Sequence, residues 1–146
     1  MANILVVHGP NLNLLGMREI KIYGNKTLDD INHKLKQLAN VRNLTCECYH
    51  SNHEGAIVEK LQQSKDQVQF IILNPAAYTH TSIAIRDALL AINIPFIETH
   101  LSNPAAREDF RHNSYFSDIA YGIIAGFGPV SYQLAMQAAI DYCQQN

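Results

Sequence analysis

The chain has 146 residues, of which 47% are apolar and 16% charged, with a formal net charge of -2. That length suits one domain with a real hydrophobic core, and the apolar content excludes a disordered chain. No basic helix or cluster offsets the acidic balance, so nucleic acid has no electrostatic footprint here.

Charged residues fall below the roughly 25% of typical domains, as expected where other subunits cover part of the surface. Cys46, Cys48 and Cys143 cannot build a closed disulfide framework. The N-terminal MANILVV lacks a basic region and runs straight into an apolar strand, so a secretory signal is not expected. No apolar stretch nears the ~18 residues of a membrane helix. The expected location is the cytoplasm.

In chain order, Asn3–Val7 is the first buried strand, and the loop NLNLLGMREIKIYG follows it from Asn11 to Gly24. This loop is unusually long and half apolar, yet it carries Arg18 and Tyr23. Thr27 can cap a helix striped by Leu28, Ile31, Leu35 and Leu38. Leu44–Tyr49 alternates more than the other strands and is expected at an edge. Ile57, Val58 and Leu61 mark a helix between Asn52 and Ser64, and Val68–Leu73 is a second buried strand. Ser82 can cap a helix packing Ile85, Ala88, Leu89 and Ile92. Pro95–Ile97, extending to Thr99, and Ala120–Ala125 complete the strands. The last helix runs from about Pro129 to Tyr142 through Leu134, Ala135, Ala138 and Ala139.

Strand and helix thus alternate through five repeats, which predicts a parallel sheet covered on both faces. The expected fold is a single domain over 1–146, a doubly wound five-stranded α/β sheet in the flavodoxin-like order 2-1-3-4-5. Ligands of such sheets bind outside the carboxyl ends of the strands, beside strand 1.

Three segments bring polar residues to that edge. They are His8-Gly9-Pro10-Asn11, the stretch Asn74–His80, and Glu98–Asn103 followed by Arg107 and Arg111. Singly, each has a plain structural reading: Asn74-Pro75 opens turns, and Thr79 or His80 can help cap a helix. Their convergence has no such reading. Arg18 and Arg111 can hold a carboxylate through two hydrogen bonds. The asparagines and Ser102 suit hydroxyl groups, which leaves His80, His100, Glu98 and Tyr23 for acid–base work. A tyrosine pKa is normally about 10, but a cation within ~4–6 Å favours the phenolate. A phenolate could take a proton from carbon next to a carbonyl while a histidine protonates a leaving hydroxyl. The plain alternative is an exposed tyrosine beside an arginine.

Two further motifs have simpler readings. Gly126-Phe127-Gly128-Pro129-Val130-Ser131 is similar to a dinucleotide fingerprint, but too few residues follow for the acidic partner about 20 positions on. The expected element is a tight strand-to-helix turn. Cys46, Cys48 and His50 alternate along one strand face without the spacing of a structural zinc knuckle, so they are expected as small buried residues and no metal is expected.

GPNLNLLGMRE with Tyr23-Gly24, SNHEG at Ser51–Gly55, NPAAYTHTSIAIRDALL at Asn74–Leu90, and IETHLSN with ARE and FRH up to His112 together resemble the type II 3-dehydroquinate dehydratases. The resemblance covers essentially the whole chain. It implies conversion of 3-dehydroquinate to 3-dehydroshikimate in the shikimate pathway, without metal or cofactor. It implies Tyr23 as base, Arg18 as the group that lowers its pKa, and His100 as proton donor to the departing hydroxyl. Glu98 would support that machinery, and Asn11 would stabilise the enolate through a water. Substrate binding would fall to Asn74, His80, Asp87, Leu101, Ser102 and Arg111. A homododecamer built from trimers is also implied, with Asp87 near a neighbouring subunit's site and residues 11–24 as a lid. The chain departs from the family pattern at His8, Ile20, His50, Pro104-Ala105 and Asn113, none of them catalytic positions. Ile20 lacks proline's fixed φ, so a more mobile lid is expected.

The rival class is a flavodoxin-like binding or signalling module. A receiver would want clustered carboxylates after strand 1, and an FMN binder would want a loop rich in hydroxyls and glycine. His8-Gly9-Pro10-Asn11 is neither.

Overall fold

A computed structural model describes residues 2–17, 21 and 25–146. Arg18, Ile20 and Tyr23 therefore lie outside the described residues. Five parallel strands form one sheet in the order β2-β1-β3-β4-β5. They are β1 (Ile4–His8), β2 (Cys46–His50), β3 (Phe70–Asn74), β4 (Phe96–His100) and β5 (Gly122–Ala125). β1, β3 and β4 are buried throughout, as near-continuous apolar runs in a doubly covered sheet should be.

Among the described residues four α-helices cover the sheet: α1 (Leu28–Asn40), α2 (Glu54–Ser64), α3 (Ile83–Ile92) and α4 (Val130–Gln145). α1 and α4 seal one face, packing Leu35, Ala135 and Ala139 on Ile4, Val6 and Ile72. α2 and α3 seal the other, with Ile57, Leu61 and Leu89 against Leu5, Val7 and Ile71. Both expected caps are formed. Thr27 Oγ1 accepts from the Asp30 amide at 3.1 Å while Asp30 Oδ2 accepts from the Thr27 amide at 3.1 Å. The Ser82 hydroxyl accepts from the Ile85 amide at 3.0 Å. Among the described residues no helix is long and apolar enough to cross a membrane.

Three expectations need correction. Among the described residues the fourth repeat has no α-helix: only short 3-10 turns, Pro104–Ala106 and Asp109–Arg111, join β4 to β5. Leu134 does not face the core but is exposed, because α4 turns Tyr132, Met136 and Ile140 inward instead. The strands also run past their last apolar residue, ending on His8, His50, Asn74 and His100. The ladder continues there because three of these four polar ends are themselves buried, which apolar patterning alone does not register.

The Gly126–Ser131 segment is the expected turn. Gly126 and Gly128 have φ of 99° and 63°, and the Ser131 hydroxyl accepts from the Phe127 amide at 2.9 Å. Cys46 and Cys48 lie with sulfurs 3.9 Å apart against the α1 side of the core. Among the described residues no group of three or more metal-binding side chains is assembled.

Gly9 marks the closest approach near the strand ends. Its amide donates to the Asn74 carbonyl at 2.8 Å, and an added Cβ would stand 2.4 Å from the Pro75 oxygen. Gly9→Ala is expected to cost about 1–3 kcal/mol, the usual range for overpacking. Chemical denaturation would measure it, and a loss below 0.5 kcal/mol would mean the Pro75 turn yields freely.

Candidate active site

The loops after β1, β3 and β4 enclose one cleft at the carboxyl edge of the sheet. Asn11 and Leu12 come from the first, Asn74, Ala76 and His80 from the second, and His100, Leu101, Ser102 and Arg111 from the third. Seven of the expected site residues therefore meet: Asn11, Asn74, His80, His100, Leu101, Ser102 and Arg111. Glu98 lies beneath them, 1% exposed. Asp87 does not join the cleft. It is exposed on α3, in a surface groove with Ile83, Arg86 and Asp118. Arg18 and Tyr23 lie outside the described residues, so the structure assigns them no place.

The floor of the cleft is a hydrogen-bonded couple on alternate residues of β4. His100 Nε2 donates to Glu98 Oε2 at 2.6 Å. The Ser114 hydroxyl lies 2.9 Å from both carboxylate oxygens, and the Ser117 hydroxyl donates to Oε1 at 2.5 Å. Burial pushes the Glu98 pKa up, but the hydrogen bonds from His100, Ser117 and Ser114 outweigh it, and the group is held below the ordinary glutamate value. A buried glutamate with this many donors is an anion in place before any ligand arrives. Because Nε2 is committed to Glu98, Nδ1 is the nitrogen of His100 left for the cleft.

The walls are held as firmly. Asn11 adopts φ 69°, and its amide donates to Asn52 Oδ1 at 2.9 Å, while the Tyr78 hydroxyl donates to the Asn52 carbonyl at 2.8 Å. Ala76 adopts φ 52°, a conformation that costs about 1–2 kcal/mol outside glycine. Its amide donates to Asn74 Oδ1 at 3.1 Å. Strain of this kind persists where surrounding contacts enforce it, commonly at ligand sites. His80 Nδ1 donates to the Asn113 carbonyl at 2.7 Å, which leaves Nε2 for a ligand. The Asn113 contact uses backbone only, so the side-chain departure there leaves it intact. Arg111 is braced by Glu108 at 3.0 Å and lies over the Phe110 ring, 4.9 Å from its centroid. A fixed guanidinium at a cleft wall suits a carboxylate.

A polar cleft of this build, at the switch point of a 2-1-3-4-5 sheet, can be compared with known proteins. The family model described as Dehydroquinase class II matches residues 2–140. The chain belongs to the class II dehydroquinase family. A curated protein of Francisella philomiragia, named 3-dehydroquinate dehydratase, is 61% identical over 140 residues, spanning 96% of this chain and 95% of the relative. One of the same name from Hahella chejuensis is 59% identical, spanning 97% of each. The crystal structure of type II dehydroquinase from Butyrivibrio crossotus superposes with a TM-score of 0.91 at 44% identity, covering 93% of this chain and 95% of that one. That from Propionibacterium acnes gives 0.91 at 40% identity.

In this dehydroquinase fold, Ser114, Ser117 and Asn52 support the cleft without having been expected to. Ser114 and Ser117 sit in SYFSDIAYG, a segment with neither periodicity nor a motif, and only the returning chain brings them to Glu98.

Proposed function

We propose that the chain is a 3-dehydroquinate dehydratase, eliminating water from 3-dehydroquinate to give 3-dehydroshikimate. The observation that carries the reading is the buried, serine-clamped Glu98 holding His100 at the floor of a cleft walled by Asn11, Asn74, His80 and Arg111. It is joined by family membership and by relatives bearing that enzyme's name.

The reaction breaks a C–H bond beside the ketone and then the C–O bond of the neighbouring hydroxyl. Tyr23, as phenolate, takes the proton, and Arg18 favours that phenolate. Charge moves onto the ketone oxygen as an enolate, which Asn11 stabilises through a water. The enolate collapses to the conjugated enone as the hydroxyl leaves, protonated by His100. Glu98 holds the imidazole in orientation through the step. Arg111 binds the carboxylate, and Asn74, His80, Leu101 and Ser102 hold the ring hydroxyls. No cofactor is required, since no electrons leave the substrate. The domain over 1–146 would close residues 11–24 as a lid.

We infer a homododecamer of trimers in the cytoplasm. Ile83 and Leu90 on α3 and Ile123, Phe127 and Leu134 around β5 are exposed apolar groups in two separate places. Two such surfaces are what an assembly with two kinds of interface needs. Asp87 then reaches a neighbour's cleft rather than its own. Sedimentation at micromolar concentration is expected to give a mass of about twelve chains; a monomer would remove the proposal.

The reading is tested by adding 3-dehydroquinate and following ultraviolet absorbance of the conjugated enone. Failure to turn over, together with uptake of FMN, would favour the binding-module alternative.

A further inference from the structure

Ser114 and Ser117, whose hydroxyls bond Glu98, also line the surface groove along α3 with Arg86 and Asp118. Residues 113–118 form neither helix nor strand, so contacts from outside decide the shape of this turn. Arg86 supplies three of them. Its Nη1 donates to Asp118 Oδ1 at 2.6 Å and its Nη2 to Asp118 Oδ2 at 3.0 Å, the two arms of one fork. Nη1 also donates to the Tyr115 carbonyl at 2.8 Å. Arg86 therefore grips the residue that follows each serine. On the other flank the Tyr115 amide donates to the Thr79 carbonyl at 3.0 Å, and Phe116 is fully buried.

The hydrogen bonds of the turn have a fixed direction. Backbone amides can only donate, and those of Phe116 and Ser117 reach Ser114 Oγ at 3.0 and 3.2 Å. With its oxygen accepting twice, Ser114 has its hydroxyl proton left for the Glu98 carboxylate at 2.9 Å. Ser117 gives its own proton to Oε1 at 2.5 Å, while Oε2 accepts from His100 Nε2 at 2.6 Å. The setting of the carboxylate under the imidazole thus follows from where the turn holds two hydroxyls. An isolated ion pair at a surface contributes little stability. A fork with a third acceptor on the backbone fixes position, which is what this turn needs.

We propose that Arg86 is a positioning residue for the Glu98–His100 couple, fixing the Ser114–Asp118 turn so that both serine hydroxyls hold Glu98 against His100. It acts from α3 and does not line the cleft. The proposal rests on the dehydratase reading only for the reaction by which its effect on turnover is measured.

Arg86→Met keeps the apolar stem and removes the fork. Its crystal structure is expected to show at least one serine hydroxyl beyond the ~3.2 Å reach of a hydrogen bond to Glu98. Both serines unmoved would overturn the proposal. In the ultraviolet assay kcat should fall about threefold to tenfold, the scale of one lost hydrogen bond, with KM changing less than about twofold. Arg86→Lys keeps the charge without the fork and should lose nearly as much. Wild-type kcat in the lysine variant would show that charge alone suffices and overturn the role of the fork. In a background of Ser114→Ala with Ser117→Ala, Arg86→Met should change kcat less than about twofold, because the residues through which it acts are gone. An equal loss in both backgrounds, or a loss confined to protein that sediments below the wild-type mass, would assign Arg86 to the fold or to subunit contact and overturn the proposal. If the wild type fails to turn over 3-dehydroquinate, the dehydratase reading falls, and the serine distances in Arg86→Met still decide the positioning role.

Discussion

Tyr23→Phe is expected to lower kcat by about 10²- to 10⁴-fold, the usual contribution of a positioned general base. KM should change little, because phenylalanine keeps the ring and removes only the proton acceptor. Glu98 cannot take over as base, because its carboxylate is occupied by His100, Ser114 and Ser117. The ultraviolet assay reads this outcome directly. Full activity in Tyr23→Phe would remove the phenolate mechanism while leaving the substrate assignment intact.

Glu98→Gln tests the floor of the cleft and is expected to cost about 10²- to 10⁴-fold in kcat, as loss of a carboxylate that orients a catalytic histidine does. Glutamine keeps a carbonyl oxygen that can accept from His100 Nε2, but it removes the negative charge beside the imidazole. The same residue predicts a pH dependence of stability. Its folded-state pKa is held below the unfolded value, so the unfolded state binds the proton more readily. The contribution is therefore fully present above the unfolded pKa and is lost as pH falls through the folded one. Acid titration of the wild type should show stability draining below the ordinary glutamate range, with a shallower loss in Glu98→Gln. Identical acid profiles would contradict the account of how the serines and His100 hold this carboxylate.

Much of the fold was legible from local pattern, because buried parallel strands read as unbroken apolar runs and helices as stripes. Ile4–Val7, Phe70–Leu73, and the caps at Thr27 and Ser82 all follow that logic. What escaped lies where polarity and burial coincide. His8, Asn74 and His100 end their strands inside the protein, and each strand expected from the sequence stops one residue short of them. The rhythm of the alternation predicts a helix between β4 and β5. The Asn103-Pro104 opening of that segment makes a short 3-10 turn instead, capped by Asn103 Oδ1 on the Ala105 amide at 3.2 Å.

The site was legible in a different way. Asn74 and His100 end strands, and His80 and Arg111 lie on the connections that follow them, so topology delivers them to one edge. Asp87 stands mid-helix on an exposed face, and its place in the reading comes from the family resemblance and from the assembly proposed for it. Ser114 and Ser117 hold Glu98 beneath the cleft from behind, and His8 and Tyr132 pair in the core. Each is visible only once the chain has folded, since each partner is at least 16 residues away in sequence.

The central claim, loss of water from 3-dehydroquinate by this chain, is tested most directly by proton NMR of the substrate during incubation with catalytic amounts of protein. The account predicts that one vinyl proton signal grows in as the signals of the carbon beside the ketone fade, one for one with substrate consumed. A substrate spectrum that stays unchanged over many hours would contradict it.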